Sequence, residues 1–252
     1  MSSEALFGLK GRVALVTGAS SGLGRAAATF LALAGARVVG LARRAESLEQ
    51  WRAETDGQTA SLAADLAAGA DIAAIAARAS EPFGPPDIVV NAAGLNLRQP
   101  ADQVTPEGWE RTIALNLTVP FFLSQTLVPG MRRKRWGRII NFASLQSRRA
   151  FSNGIAYGAS KGGVEQMTRA MAEAWSRDGI NANALAPGFF PTELTGPVFA
   201  DPSVSAMHAG STCIGRNGEM ADIEGPLLFL ASEASVYVTG QVLFVDGGYT
   251  AR

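Results

Sequence analysis

Residues 12–41, RVALVTGASSGLGRAAATFLALAGARVVGL, decide the fold of this chain. The run from Arg12 to Thr17 is apolar and rich in β-forming residues, which predicts a buried strand. A glycine-rich turn follows, then a helix with an apolar face over Arg25–Leu33 and a second strand over Arg37–Leu41. A strand, a helix and a strand in so short a stretch form a βαβ unit, which requires parallel strands. The stretch therefore predicts an α/β protein.

The turn inside this unit places glycines at positions 18, 22 and 24. Glycines let the backbone approach a pyrophosphate closely, and the helix that follows offers free N–H groups and a positive dipole end. The same spacing also suits a tight strand-to-helix turn that binds nothing. For the turn alone, both interpretations stay open.

The rest of the chain continues the alternation of strands and helices. Further strands are predicted at Ala60–Ala64, Asp87–Asn91, Gly137–Phe142, Ile180–Ala184 and Gln241–Val245. Helices are predicted at Gly69–Ser80, from Pro106 towards Leu127 with a kink or interruption at Pro120, at Tyr157–Arg177 and at Gly218–Ala231, and Phe189–Gly218 is predicted to be irregular. The fold class is α/β: one doubly wound (Rossmann) domain over residues 1–252, with a mostly parallel seven-stranded sheet and helices on both faces.

Polar and glycine-rich pieces follow the predicted strands where each strand ends. In an open parallel sheet, ligands bind beyond the carboxyl ends of the strands. One ligand edge is therefore expected, formed by residues 18–24, Arg43, Asp65, Asn91–Gly94, Ser144 and Pro187-Gly188.

Tyr157 and Lys161 lie four residues apart at the start of a predicted helix, so they project from one face. A nearby ammonium favours the phenolate and lowers the pKa of a tyrosine. Such a pair can exchange a proton with an alcohol or a ketone. Taken alone, however, the pattern more often marks a surface tyrosine beside a solvated lysine.

The end of the second predicted strand bears on the identity of a bound dinucleotide. NAD sites usually carry an acidic residue there for the ribose 2′-hydroxyl. This chain has Arg43 and Arg44 instead, and a guanidinium suits a 2′-phosphate. The sequence therefore predicts NADP, with NAD as the alternative and two solvated arginines as the interpretation without a ligand.

Composition argues against several classes of function. The 22 Lys and Arg balance the 22 Asp and Glu without a basic tail, so nucleic-acid or membrane-surface binding has no support. Cys213 is the only cysteine, which excludes an internal disulfide, and no metal site is predicted. Residues 1–10 lack the pattern of a signal peptide, and no apolar run reaches the roughly 18 residues that span a bilayer. A cytoplasmic protein is expected.

Together, these motifs resemble the short-chain dehydrogenase/reductase family. The match runs from Leu9 to Tyr249 and rests on T-G-x-x-x-G-x-G at 17–24, N-A-A-G at 91–94, Asn116, Ser144, Y-x-x-x-K at 157–161 and P-G at 187–188. N-A-A-G departs slightly from the commoner N-N-A-G. The resemblance implies an NAD(P)-dependent dehydrogenase or reductase that acts on CH–OH groups.

The resemblance also implies residue roles. Tyr157 would be the general acid/base, Lys161 would lower its pKa and bind the nicotinamide ribose, and Ser144 would hold the substrate oxygen. Asn116 would hold a water that links Lys161 to solvent. The implied cofactor contacts are Gly18, Ser20, Ser21, Gly22, Leu23, Gly24, Arg43, Arg44, Asp65, Leu66, Asn91, Ala92, Gly94, Tyr157, Lys161, Pro187, Gly188, Phe190 and Thr192.

The substrate pocket of this family is formed largely after the Pro-Gly motif, here residues 189–216, which are taken as a substrate-binding loop or lid. The predicted substrate contacts are Ser144, Gln146, Arg98, Arg148 and Tyr157. The arginines would suit an anionic sugar acid, and solvated loop arginines are the alternative.

Two features of this region indicate different classes of substrate. Gln146 and the stretch PGFFPTELT at 187–195 resemble the gluconate 5-dehydrogenase branch, which interconverts a sugar acid and its keto form. Three phenylalanines in the loop, at positions 189, 190 and 199, instead suit an apolar ketone. His208, the only histidine, is interpreted as incidental.

The leading hypothesis is an NADP-dependent oxidoreductase that interconverts a secondary alcohol and a ketone on a sugar acid or polyol-like small molecule. A 3-oxoacyl-thioester reductase of lipid synthesis shares every motif and is the alternative. A non-catalytic nucleotide-sensing protein is the alternative from another class. Because members of this family commonly form tetramers, a homo-oligomer is expected, either a tetramer or a dimer.

Overall fold

The computed structural model describes residues 6–67 and 69–252. Seven parallel strands form one sheet in the order β3-β2-β1-β4-β5-β6-β7. The strands are β1 (Val13–Thr17), β2 (Arg37–Ala42), β3 (Thr59–Ala63), β4 (Ile88–Asn91), β5 (Gly137–Phe142), β6 (Ile180–Pro187) and β7 (Val242–Val245). The predicted α/β class and seven-stranded sheet are confirmed.

Helices connect these strands. They are α1 (Gly22–Leu33), α2 (Ala45–Glu54), α3 (Ile72–Ser80), α4 (Pro106–Ile113), α5 (Val119–Lys134), α6 (Ile155–Trp175), α7 (Gly196–Phe199), α8 (Pro202–Gly210) and α9 (Glu224–Ala231). A π-helical turn, Ala114–Thr118, joins α4 to α5.

Alternate residues of β1 point to opposite faces of the sheet, and each face has its own apolar core. Ala14 and Val16 share one core with Leu31 of α1. Leu15 shares the other with Leu123 of α5. Fully burying one such Leu contributes about 1.5–3 kcal/mol. Burial on both faces explains why β1 is a continuous apolar run.

The order of the strands changes direction between β1 and β4. The connection after β1 leads to β2 on one side, whereas the connection after β4 leads to β5 on the other side. The Thr17 hydroxyl accepts hydrogen bonds from the backbone N–H of Ala92 at 3.1 Å and of Ala93 at 3.0 Å. This contact ties the two strand ends at the point where α/β sheets open a ligand crevice.

Two local predictions need correction. The helix α2 was not predicted, because only Leu48 and Trp51 are buried on it and the segment is otherwise polar. Residues 189–218 are not irregular throughout, because they contain α7 and α8. Asp201 caps α8 by accepting from the N–H groups of Ser203 and Val204.

The α-helix is interrupted just before Pro120, by the π-helical turn Ala114–Thr118, close to where the sequence predicts a kink or interruption. A proline inside a helical run has no N–H to donate to the preceding turn, which explains why the regular hydrogen bonding changes there. The continuous run Pro106–Lys134 is long and apolar enough to cross a membrane by length and composition. In this fold it is a core helix, with Leu123, Leu127 and Met131 buried against the rest of the domain.

Candidate active site

A cleft of about 570 Å³ opens at the carboxyl ends of the strands. The structure brings most of the predicted site residues to its wall: Gly18, Ser20, Ser21, Gly22, Leu23, Gly24, Arg43, Arg44, Asp65, Leu66, Ala92, Gly94, Arg98, Ser144, Gln146, Tyr157, Lys161, Pro187, Gly188, Phe190 and Thr192. Asn91, Asn116 and Arg148 are not among the residues that line it.

The glycine turn lies at one end of the cleft and is packed too closely for side chains. A Cβ on Gly18 would lie 3.0 Å from the backbone of Ala93, and a Cβ on Gly24 would lie 2.3 Å from the carbonyl oxygen of Gly18. Gly18 also has a φ of +74°. Ser21 precedes α1 without capping it through its side chain. The first N–H groups of α1 therefore remain available to an anion at this end of the cleft.

A polar cluster lies at the mouth beside this turn. The Arg44 guanidinium donates to both carboxylate oxygens of Glu193, at 2.7 and 3.1 Å. It also donates to Ser20 Oγ at 3.1 Å and to Ser21 Oγ at 2.8 Å. Glu193 was not predicted as a site residue, because its contact with Arg44 depends on how the loop after β6 folds back.

Helix α6 places Tyr157 and Lys161 one turn apart, and both side chains are buried. The Lys161 Nζ lies 5.7 Å from the centre of the Tyr157 ring and donates to the carbonyl oxygen of Phe142 at 2.5 Å. The alternative interpretation, a surface tyrosine beside a solvated lysine, is therefore wrong. Both groups face the cleft from one side of α6.

Burial shifts the pKa values of both members of this pair. Burial raises the pKa of the Tyr157 hydroxyl, and contact with the Ser144 hydroxyl and the positive charge of Arg98 oppose that rise. Burial lowers the pKa of Lys161 to about 8. Desolvation disfavours the phenolate more than Ser144 and Arg98 favour it, and the lowering of the Tyr157 pKa by Lys161 stays a prediction.

Ser144 lies directly after β5, in a turn that orients it. Its Oγ accepts a hydrogen bond from the N–H of Gln146 at 3.1 Å. The Ser147 hydroxyl donates to the carbonyl oxygen of Lys161 at 2.8 Å. The turn that carries Ser144 is thereby joined to the helix that carries the tyrosine and the lysine.

Asn116 lies in the π-helical turn, behind the cleft wall. Its Oδ1 accepts from the N–H of Leu95 at 2.9 Å, and its Nδ2 donates to the Leu95 carbonyl at 2.9 Å and to Ser160 Oγ at 3.0 Å. A Cβ on Gly94 would lie 3.2 Å from Asn116 Oδ1 and 3.9 Å from Lys161 Nζ. Asn116 is therefore near the lysine, and its role in holding a water stays a prediction.

Asn91 and Arg148 do not occupy their predicted places. Asn91 is buried at the end of β4, where its Nδ2 donates to Asn141 Oδ1 of β5 at 2.8 Å and to Ser124 Oγ of α5 at 3.2 Å. It supports the sheet, as expected in part, and does not reach the cleft. The Arg148 guanidinium binds Glu165 of α6, at 2.8 Å from its carboxylate. Because this carboxylate holds it, Arg148 is not a cleft cation.

The opposite end of the cleft combines a cation, an amide and aromatic rings. Arg98 donates from its guanidinium to the Leu194 carbonyl at 3.0 Å. Gln146 packs so closely over the start of α6 that a Cβ on Gly154 would lie 2.2 Å from its Oε1. Gly154 is therefore needed for Gln146 to lie where it does.

His208 lines this end, although the sequence interpretation treated it as incidental. Its ring stacks on Phe189 at 3.7 Å between centroids, and its Nδ1 lies 3.3 Å from the Tyr249 hydroxyl. Burial lowers the pKa of the imidazole, so it is neutral at pH 7. The signal for this placement was weak, since a lone histidine gives no spacing pattern. Within residues 6–67 and 69–252, no three His, Cys, Asp or Glu side chains group to hold a metal ion.

The family model described as enoyl-(acyl carrier protein) reductase matches residues 18–250. The chain belongs to the short-chain dehydrogenase/reductase family. The gluconate 5-dehydrogenase of Gluconobacter oxydans (strain 621H) is 39% identical over 253 residues, which cover 99% of each chain. The 2-dehydro-3-deoxy-D-gluconate 5-dehydrogenase of Escherichia coli (strain K12) is 41% identical over 252 residues and 98% of each chain.

A solved structure shares both fold and sequence with this member of the short-chain dehydrogenase/reductase family. It is a gluconate 5-dehydrogenase from Burkholderia cenocepacia J2315 in complex with NADP and tartrate. It superposes with a TM-score of 0.93, at 37% identity and over 100% of both chains. These relatives confirm the predicted resemblance to the gluconate 5-dehydrogenase branch.

Proposed function

We propose that this chain is an NADP-dependent oxidoreductase that interconverts a secondary alcohol and a ketone on a sugar acid. One observation carries the proposal: Ser144, Tyr157 and Lys161 line one cleft together with Arg98, whose charge acts on the Tyr157 hydroxyl. A proton-transfer unit beside a cation suits a substrate that carries both a carbonyl and a carboxylate. The named activities of the relatives agree with this chemistry.

The residues present fit a nicotinamide dinucleotide phosphate. The glycine turn would hold the pyrophosphate, because a Cβ on Gly18 or Gly24 would collide with backbone there. Arg44, with Ser20 and Ser21, would hold the 2′-phosphate. Lys161 would hold the nicotinamide ribose. Bound there, the cofactor supplies or accepts the hydride.

The protein moves the proton. In reduction, Tyr157 donates its phenolic proton to the ketone oxygen, and Ser144 donates a hydrogen bond to the same oxygen. Burial raises the pKa of Tyr157, which keeps the proton on the ring at neutral pH until an acceptor arrives. In oxidation, the proton moves in the opposite direction, and Tyr157 accepts it from the alcohol. Asn116, next to Lys161, would position a water that returns protons from solvent.

The polar part of the substrate would be bound by Arg98, Gln146 and His208. A guanidinium binds a carboxylate with charge-assisted hydrogen bonds, while a neutral imidazole and an amide suit hydroxyl groups. We assign residues 189–216 as the substrate-binding loop of the single domain. Phe189 within it stacks on His208, so its ring supports the polar wall.

We also propose a cytoplasmic homo-oligomer, a tetramer or a dimer. Large apolar side chains are exposed on α4, on α5 and near β7, among them Trp109, Phe122, Tyr237 and Leu243. Exposed large apolar side chains on these elements suit surfaces that another copy of the chain covers.

The test is a substrate panel with purified protein. NADPH and NADH are each offered with keto sugar acids, with polyols in the oxidative direction, and with 3-oxoacyl thioesters. The purified protein is expected to turn over a keto sugar acid with NADPH. Turnover of the thioesters alone would support the lipid-synthesis alternative, and nucleotide binding without any turnover would support a sensor.

A further inference from the structure

Arg44, Ser20 and Ser21 form an anion subsite at the mouth of the cleft, and the chain itself fills that subsite. The two nitrogens at the end of the Arg44 guanidinium bind the two oxygens of Glu193. Ser20 and Ser21 accept from the same guanidinium, and the hydrogen bonds from Arg44 lower the pKa of Glu193. A paired, two-oxygen contact uses the guanidinium edge that a phosphate uses.

We propose that Glu193 is a specificity-determining residue for the cofactor, because its carboxylate occupies the subsite that the 2′-phosphate of NADP must take. The proposal rests on the NADP dependence in the proposed function. A dinucleotide with a 2′-phosphate displaces Glu193 from Arg44, whereas one with a 2′-hydroxyl has no group that competes for the guanidinium.

The balance of charge allows this exchange. The Arg44–Glu193 pair is exposed, with 49% and 64% of the two side chains accessible. Exposed ion pairs are weak, so the carboxylate is a competitor that a stronger anion removes. A phosphate monoester carries about −1.5 to −2 charges at pH 7 and three acceptor oxygens. The single negative charge of Glu193 also repels that phosphate while it stays nearby.

The neighbours of Glu193 in the chain hold the loop in place on both sides of it. Its neighbour Thr192 packs against the glycine turn, since a Cβ on Gly22 would lie 3.2 Å from the Thr192 side chain. Its other neighbour, Leu194, accepts from Arg98 at the substrate end. Glu193 therefore lies between two other contacts of the same loop, and displacing its carboxylate leaves the loop held at Thr192 and at Leu194.

The test compares the wild type with Glu193→Gln, which removes the charge and keeps the shape. Dissociation constants are measured by calorimetry for NADPH, NADH, adenosine 2′,5′-bisphosphate and 5′-AMP. The variant is expected to bind NADPH and the bisphosphate about two- to fivefold more tightly, in line with one exposed ion pair. NADH and 5′-AMP are expected to bind both proteins equally. The difference is expected to shrink at about 1 M salt, where charges are screened beyond about 3 Å.

The matched control is Glu49→Gln. Glu49 is also exposed and binds an arginine at 2.7 Å, but it does not line the cleft. Its variant is expected to bind all four ligands as the wild type does. A gain for NADPH in both variants would mean a general charge effect and would overturn the proposal.

Two further outcomes separate this proposal from the function on which it rests. A wild type that binds NADH as tightly as NADPH, together with a Glu193→Gln variant that gains no affinity for NADPH over NADH, overturns both. A wild type that prefers NADPH, together with a Glu193→Gln variant that binds NADPH no more tightly or gains equally for NADH, overturns the role of Glu193 alone.

Discussion

The Ser147 hydroxyl donates a hydrogen bond to the carbonyl oxygen of Lys161 at 2.8 Å. This bond crosses from the turn after β5 to helix α6, so it fixes the distance between two parts of the candidate active site. Ser144 lies on one side of it, and Tyr157 lies on the other. The two residues reach one substrate oxygen only if this register holds.

Replacing Ser147 with Ala is expected to lower kcat about tenfold with a small change in the KM for the substrate. The reason is geometric, because Ser144 would lose its fixed place relative to Tyr157. Steady-state kinetics measures the effect. Ser147→Thr keeps the hydroxyl and is expected to restore most of kcat. Equal kcat for the Ala variant and the wild type would show that this bond does not position the site.

The pH profile of ketone reduction is expected to fall above about pH 8. Burial lowers the pKa of Lys161 to about 8. Lys161 is therefore protonated below that pH, and it loses its positive charge as the pH rises through this value. Burial raises the pKa of Tyr157, so the proton donor remains in place across the same range. Measuring kcat/KM from pH 6 to 10 tests this. In Lys161→Arg the charge persists, and the decline near pH 8 is expected to disappear. A wild-type profile that stays flat to pH 10 contradicts the assignment.

Gly154→Ala is expected to raise the KM for the substrate about tenfold and to leave NADPH binding unchanged. Its Cβ would lie 2.2 Å from Gln146 Oε1, which forces that side chain away from the substrate end of the cleft. Gly225→Ala is the control, because a Cβ there meets nothing within 4 Å. An unchanged KM in the Gly154 variant would remove Gln146 from the proposed substrate contacts.

His208→Phe is expected to raise the KM for a sugar acid while NADPH affinity stays within about twofold. Phenylalanine keeps the stacking on Phe189 and removes the ring nitrogens, so the variant separates hydrogen bonding from packing. His208→Gln keeps a polar group and is expected to recover part of the loss. If both variants match the wild type in KM, His208 only packs against Phe189 in the cleft wall and does not bind the substrate.

Features that depend on the main-chain path could be predicted from the sequence. The strand β1 is buried on both faces and reads as an unbroken apolar run, which identifies it without further context. The order of parallel strands then brings their carboxyl ends to one edge. Ser144, Tyr157 and the glycine turn therefore met in the cleft as predicted, although they come from distant parts of the chain.

Features that depend on side-chain partners could not be predicted in the same way. Arg148 lies close to Ser144 in sequence, but Glu165 on α6 holds its guanidinium away from the cleft. Glu193 meets Arg44 only because the loop after β6 returns to the glycine turn. His208 is placed by packing against Phe189 and Tyr249, which no local pattern shows.

The most direct test of the proposed function is the rate of NADPH oxidation with 5-keto-gluconate in the wild type and in Tyr157→Phe. Clear turnover by the wild type is expected. In the variant, kcat is expected to fall about 10²–10⁴-fold and NADPH affinity to stay within about twofold, because only the proton donor is removed. Turnover of 5-keto-gluconate that survives Tyr157→Phe would contradict the proposed role of Tyr157, and a wild type that reduces neither 5-keto-gluconate nor the other keto sugar acids of the panel would contradict the proposed function.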